Sequence, residues 1–343
     1  MRFAVSYSTA FNGTDPDRLV AFARHAEDCG FEGLYVQDHI ALYPGADYGA
    51  GELPPTLPYF DPLDCLSFVA AVTRRILLGT GVLLLPYRHP VVLAKRLATI
   101  DVLSGGRMRL LTVGLGSLPG EARALGVDYG TRGRRADEAI DVLRLLWSGG
   151  AEGVSHRGEF FAFDDLCSYP KPHGVSELPI HVGGSSAAAA RRAGRRGDGY
   201  FAGGMLTEAE RDRQFALARD AAVEAGRDRA PLEYTRWGRP ISPSTVPDNS
   251  PNTGCIASSS DSPEPNPPGS MIRCRNSPNV SRSHPRARAA TGCPRCDASS
   301  HGRFVPAHSP PALGLGEVTQ VVVEGAAERI VLGVVHGRIR FAQ

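Results

Sequence analysis

From Arg2 to Trp237 short apolar runs alternate with longer amphipathic stretches, and this alternation limits what the chain can fold into. Arg2–Tyr7 reads as a strand. Asp15 is an N-cap with Pro16 at the first helical position, opening a helix through Cys29 that stops at Gly30. Gly33–Gln37 is a second strand, followed directly by Asp38-His39 and then a Gly/Pro-rich loop, Pro44–Pro58. Asp61-Pro62 starts a helix to Thr73; Ile76–Leu85 is a third strand, interrupted by Gly79 and Gly81. A helix from Pro90 to Leu103 ends at Ser104-Gly105-Gly106, and Arg107–Val113 is the next strand. Thr131–Trp147 places Ile140, Leu143 and Trp147 on one helical face. Ile180–Val182, Gly199–Ala202 and Leu232–Trp237 are further strands, separated by an Ala-rich helix and a helix over Thr207–Ala225.

Repeated strand–helix units imply a parallel sheet with right-handed crossovers, either doubly wound or closed into a barrel. The first strand carries no G-x-G-x-x-G turn, which weighs against a doubly wound dinucleotide-binding sheet. About seven units fit before residue 239, so the expected fold is an α/β (β/α)8 TIM barrel. Chemistry in such barrels sits at the C-terminal ends of the strands, which directs attention to the residues just after each strand.

Composition breaks sharply beyond this region. Fourteen of the 27 prolines, with fourteen serines, fall between Pro240 and Pro311, and the apolar residues there follow neither the helical nor the strand period. Such a stretch buries too little apolar surface to offset its ordering entropy, so 239–312 is expected to be disordered. The expected organisation is a barrel domain at 1–238, this low-complexity segment, and a C-terminal piece at 313–343 that is a remnant or the last barrel strand. Glu317–Val323 looks like the missing eighth strand and Ile330–Phe341 like another, so 239–343 is either a large insertion or a disrupted reading frame. Cys293-Pro294-Arg295-Cys296 is a single C-x-x-C; a tetrahedral zinc site usually needs two paired motifs, and no metal is expected. The 38 basic and 36 acidic residues argue against a nucleic-acid or polybasic membrane surface. No apolar run is long enough to span a bilayer, and the N-terminus lacks a secretory signal, so a cytoplasmic protein is expected.

His39, one residue past the second strand and beside Asp38, can shuttle a proton near neutral pH, or merely bond its loop. Asp38 would tune or orient it, or cap the loop. Gly81-Val82 mark a bulge or a close backbone approach, or plain packing. Gly183-Gly184-Ser185-Ser186 joins a strand to a helix and makes an anion site, or an ordinary capped turn. Gly114-Leu115-Gly116 admits close approach of a ring or a substrate. Arg191, Arg192, Arg195 and Arg196 are read as a solvated helix face. Tyr43, Tyr48 and Tyr59 in the 40–60 loop shape a pocket or simply pack.

The series Tyr35-Val36-Gln37-Asp38-His39, Leu78-Gly79-Thr80-Gly81-Val82, Tyr87-Arg88-His89-Pro90 and Asp101-Val102-Leu103-Ser104-Gly105-Gly106-Arg107 resembles the bacterial luciferase-like monooxygenase superfamily. Gly114-Leu115-Gly116, Arg134-Arg135-Ala136-Asp137-Glu138, Pro170-Lys171-Pro172 and His181-Val182-Gly183-Gly184-Ser185 continue the likeness in order, over about residues 1–238. The subgroup it resembles is the F420-dependent oxidoreductases. The resemblance implies a barrel with a deazaflavin ring at its C-terminal face and His39 as the catalytic residue. It also implies coenzyme contacts from Asp38, from a non-proline cis peptide at Gly81-Val82, and from Gly114, Gly116, Gly183, Gly184, Ser185 and Ser186. The expected activity is hydride transfer between coenzyme F420 and a small organic substrate. The alternatives are an FMN-dependent monooxygenase using O2 and a separate reductase, and an inactive barrel with a disrupted C-terminus. A second copy of the chain, as a homodimer, is a candidate partner; nucleic acid and membrane are not expected.

Overall fold

The computed structural model describes residues 2–49, 51–204, 206–227, 231–237 and 328–333. All of them fall in one compact unit that joins Met1–Pro247 to Val318–Gln343. The segment 239–312, its expected disorder and the Glu317–Val323 strand lie outside the described residues.

In chain order the elements are β1 (Arg2–Tyr7), α1 (Thr9–Asn12), α2 (Pro16–Asp28), β2 (Gly33–Val36), α3 (Pro62–Val72), β3 (Leu77–Thr80) and β4 (Leu83–Leu84). A 3-10 turn at Leu85–Tyr87 leads into α4 (Pro90–Ser104), β5 (Leu111–Gly114), α5 (Pro119–Ala124) and α6 (Arg132–Ser148). Then come β6 (Val154–Arg157), β7 (Ala162–Leu166), β8 (Ile180–Gly184), α7 (Ala187–Arg196), β9 (Gly199–Ala202), α8 (Glu208–Glu224), β10 (Glu233–Trp237) and β11 (Glu328–Gly333). The start signals act locally. Asp15 accepts from Asp17 N at 2.9 Å, Asp61 caps α3 through Leu63 N and Asp64 N, and Thr207 with Glu210 closes a capping box on α8. Gly105, in the left-handed region at φ 70°, ends α4.

The strands run in the order β3-β2-β1-β11-β10-β9-β8-β5-β4, every pair parallel. Sequence reading placed one strand over Ile76–Leu85; the structure splits it into β3 and β4, two halves of one stave. A bridge from Gly79 to Leu110, with Leu110 N donating to Leu78 O at 3.2 Å, ties β3 to the start of β5 and closes the ring. The result is the expected eight-stave (β/α)8 barrel. The stave between β10 and β1 is β11, with Ile330 opposite both Phe3 and Arg236.

Apolar side chains fill the barrel and the layer between strands and helices: Leu34, Leu78, Leu83, Leu93, Leu97, Ile140 and Leu143 are fully buried. Each such side chain contributes about 1.5–3 kcal/mol. The arginines of α7 differ from expectation. Arg192 pairs with Asp137 at 2.5 Å and Arg196 with Asp141 at 3.1 Å, so they clamp α7 to α6 rather than forming a purely solvated face. No described helix is long and apolar enough to cross a membrane.

Candidate functional site

His39 stands three residues beyond β2, at the C-terminal rim of the barrel, with 19% of its side chain exposed. Its Nδ1 lies 3.3 Å from Oε2 of Glu121, a carboxylate with no exposed side-chain surface. The other oxygen of Glu121 accepts two backbone N–H groups, from Ile40 at 2.6 Å and Ala41 at 3.2 Å. Tyr59 meets the imidazole edge-on, ring centres 4.8 Å apart. Burial, with smaller contributions from Tyr48 and Glu121, pushes the Tyr59 phenol up to about 12, so it stays a neutral hydroxyl near neutral pH. The imidazole is thus held between a buried carboxylate and an aromatic wall.

Asp38, the preceding residue, turns into the protein. Both its oxygens face Arg88, at 3.0 and 3.1 Å, and one also accepts Leu84 N at 2.9 Å. Arg88 reaches on to Asp61 at 2.9 Å. Burial raises the Asp38 carboxyl above its ordinary range and outweighs the lowering by Arg88. At Asp61 burial acts the same way, but the Arg88 charge and the N-cap N–H groups together prevail and hold it low. With its acceptors engaged, Asp38 fixes the β2 end against the β4 stave.

Gly81–Val82 is a cis peptide, at the break between β3 and β4. The Val82 side chain projects toward the neighbouring staves β5 and β8, where a Cβ on Gly114 or on Gly183 would overlap its methyl groups. Those two glycines therefore make room for Val82, a neighbour within the protein. Gly116 takes a left-handed turn at φ 75°, beneath the Tyr87 phenol.

At the end of β8, Gly184 adopts φ 143°, and its carbonyl accepts from the Tyr200 hydroxyl at 2.8 Å and from Gly203 N at 3.1 Å. Ser186 caps α7 through Ala189 N at 3.1 Å, which spends its hydroxyl as an ordinary helix cap. The N–H groups of Ala187 and Ala188, in the first turn, have no acceptor within the helix. Ser185 and Ser186 are both exposed. Across the rim, the Ser8 hydroxyl is buried with no partner among the described residues.

The structure thus brings His39, Gly81, Val82, Gly114, Gly116 and Gly183–Ser186 to one end of four neighbouring staves. Backbone and apolar atoms of these staves would meet the face of a flat ring, and the first turn of α7 would meet an anionic tail. Among the described residues no cluster of three or more His, Cys, Asp or Glu could hold a metal ion. Sequence reasoning missed Glu121 and did not give Arg88 a role. The available signal for Glu121 was Pro119 after a strand-end Gly-x-Gly, which marks a helix start with an acidic residue in its first turn.

The profile of the family described as luciferase-like monooxygenase matches residues 1–243. The chain is similar to an F420-dependent glucose-6-phosphate dehydrogenase of Microbacterium testaceum, 32% identical over 234 residues, 67% of this chain and 65% of that protein. It is similar to an F420-dependent hydroxymycolic acid dehydrogenase of Mycobacterium tuberculosis, 37% identical over 216 residues, 62% of this chain and 55% of that protein. The chain therefore spans less than two thirds of the length of either relative. Among solved structures, the monooxygenase RslO1 from Streptomyces bottropensis superposes with a TM-score of 0.56 at 27% identity, covering 68% of this chain and 69% of that one.

Proposed function

The chain belongs to the luciferase-like monooxygenase family, and from that membership we propose an oxidoreductase that passes a hydride between coenzyme F420 and a small organic alcohol or carbonyl. The observation that carries this reading is His39, held at the strand rim with its ring braced between the Glu121 carboxylate and the Tyr59 ring. The F420-dependent activities named for relatives at 32% and 37% identity support it. When bound, F420 supplies a two-electron hydride acceptor or donor, and it leaves the substrate proton to another group. His39 is that group. In the oxidative direction it takes the hydroxyl proton as the carbinol hydrogen leaves with its electron pair, so the product is a carbonyl; in reduction it returns the proton to the nascent alkoxide. The N-terminus of α7, after Gly183-Gly184-Ser185-Ser186, would hold the anionic tail.

Side-by-side titration with F420 and FMN, followed by visible absorbance, tests this. F420 is expected to bind, and His39→Ala to keep that binding while losing about 10²–10⁴ in turnover. Binding of FMN alone would replace this reading with a flavin-dependent monooxygenase. Failure to bind either would leave an inactive barrel.

A further inference from the structure

We propose that Glu121 is the positioning residue that sets the tautomer of His39, so that Nδ1 carries the proton and a bare Nε2 faces the reacting atoms. The inference rests on the assignment of His39 as the proton-handling group and adds how that group is kept ready.

The geometry leaves few choices. Oε1 of Glu121 already receives N–H bonds from Ile40 and Ala41, at 2.6 and 3.2 Å. Backbone N–H groups only donate, so that oxygen must be an acceptor. Oε2 faces Nδ1 of His39 at 3.3 Å, and the side chain is wholly shielded from water. A buried carboxylate left short of donors is costly, so the neutral imidazole places its one proton on Nδ1 and points it at Oε2. Nε2, on the far edge of the ring from Glu121, is then free to accept a substrate proton. Glu121 is itself held in place. It sits in the first turn of α5, and the Tyr43 hydroxyl accepts Gly120 N at 3.1 Å next to it.

This arrangement makes Glu121→Gln informative. Ile40 N and Ala41 N together demand the amide oxygen, which forces the amide NH2 toward Nδ1. Nδ1 must then accept, and the imidazole proton moves to Nε2. The substitution keeps the shape and reverses the tautomer.

The test is nitrogen-15 NMR of the His39 ring in the free protein, the resonance assigned by its loss in His39→Ala. The expected result is Nδ1–H with bare Nε2 in the wild type and in Glu121→Asp, which keeps a carboxylate, and the reverse in Glu121→Gln. In turnover Glu121→Gln is expected to lower kcat about 100-fold, with KM and coenzyme affinity within about threefold. A wild-type ring protonated at Nε2 would overturn the proposal, as would an unchanged tautomer in Glu121→Gln. Should Glu121→Gln fail to fold, the wild-type and Glu121→Asp spectra still decide. Because the spectra need no coenzyme, failure to bind F420 would sink the proposed activity alone, and a wrong tautomer in an active protein would sink this inference alone.

Discussion

Gly183 on β8 lies so close to Val82, across the break between β3 and β4, that a Cβ on it would overlap a Val82 methyl. Gly114 on β5 stands in the same relation to the other methyl. Gly114→Ala or Gly183→Ala is therefore expected to cost about 1–3 kcal/mol through overpacking. Adding Val82→Ala should recover part of that loss, because the smaller side chain leaves room for the new methyl. Urea unfolding of the singles and doubles measures it; additive losses would show that Val82 is not the obstacle.

Arg88 balances a carboxylate that has 1% of its side chain exposed. Arg88→Met strands Asp38 without its counter-charge and is expected to destabilise the fold by about 3–5 kcal/mol. Asp38→Asn, combined with Arg88→Met, removes the uncompensated charge while keeping an acceptor for Leu84 N. The double variant should be more stable than Arg88→Met alone, as read by denaturant midpoints.

Ser186→Ala removes the hydroxyl that caps α7 and is expected to cost about 1 kcal/mol. Ser185→Ala removes no cap, so it should leave stability within about 0.5 kcal/mol. If the α7 start holds the coenzyme tail, either change raises the F420 dissociation constant; calorimetric titration separates the two effects.

The hairpin of β6 and β7 is tied to α6 through Glu138, which accepts from Phe160 N at 2.9 Å and Phe161 N at 2.8 Å and faces His156 Nε2 at 3.1 Å. Burial raises this carboxyl, but the His156 bond and the two N–H bonds outweigh it and hold it below its ordinary 4.5. A depressed carboxyl stabilises the folded state above its unfolded value and loses that contribution as pH falls through the folded one. Unfolding free energy should therefore drop as acid is added below about pH 4.5, and less steeply in Glu138→Gln. Parallel slopes in the two proteins would refute this.

Much of the scaffold was legible because its signals are local. Asp15-Pro16, Asp61-Pro62 and Thr207 with Glu210 announce helix starts from within four residues, and Gly199–Ala202 matched its strand. The rim position of His39 followed from strand-end logic alone. Long-range partners were not legible: Glu121 lies 82 residues from His39, and Arg88 lies 50 from Asp38, with nothing between them in sequence to record the encounter. The glycines are a separate case. A glycine pair at a strand end signals close approach, yet sequence cannot say that the close neighbour of Gly114 and Gly183 is Val82. Sequence pattern points to Glu317–Val323 as the eighth strand, whereas the stave between β10 and β1 is Glu328–Gly333, a placement that only register against both neighbours reveals.

Strand β11 joins its neighbours after an excursion of about ninety residues from β10. Tethering entropy rises only with the logarithm of the intervening length, so stretching a thirty-residue crossover threefold adds about 1 kcal/mol. Deleting the strand is another matter: it would bare the hydrogen-bonding edges of β1 and β10 together and invite strand exchange between molecules. However far along the chain they lie, those six residues are what seals the seam.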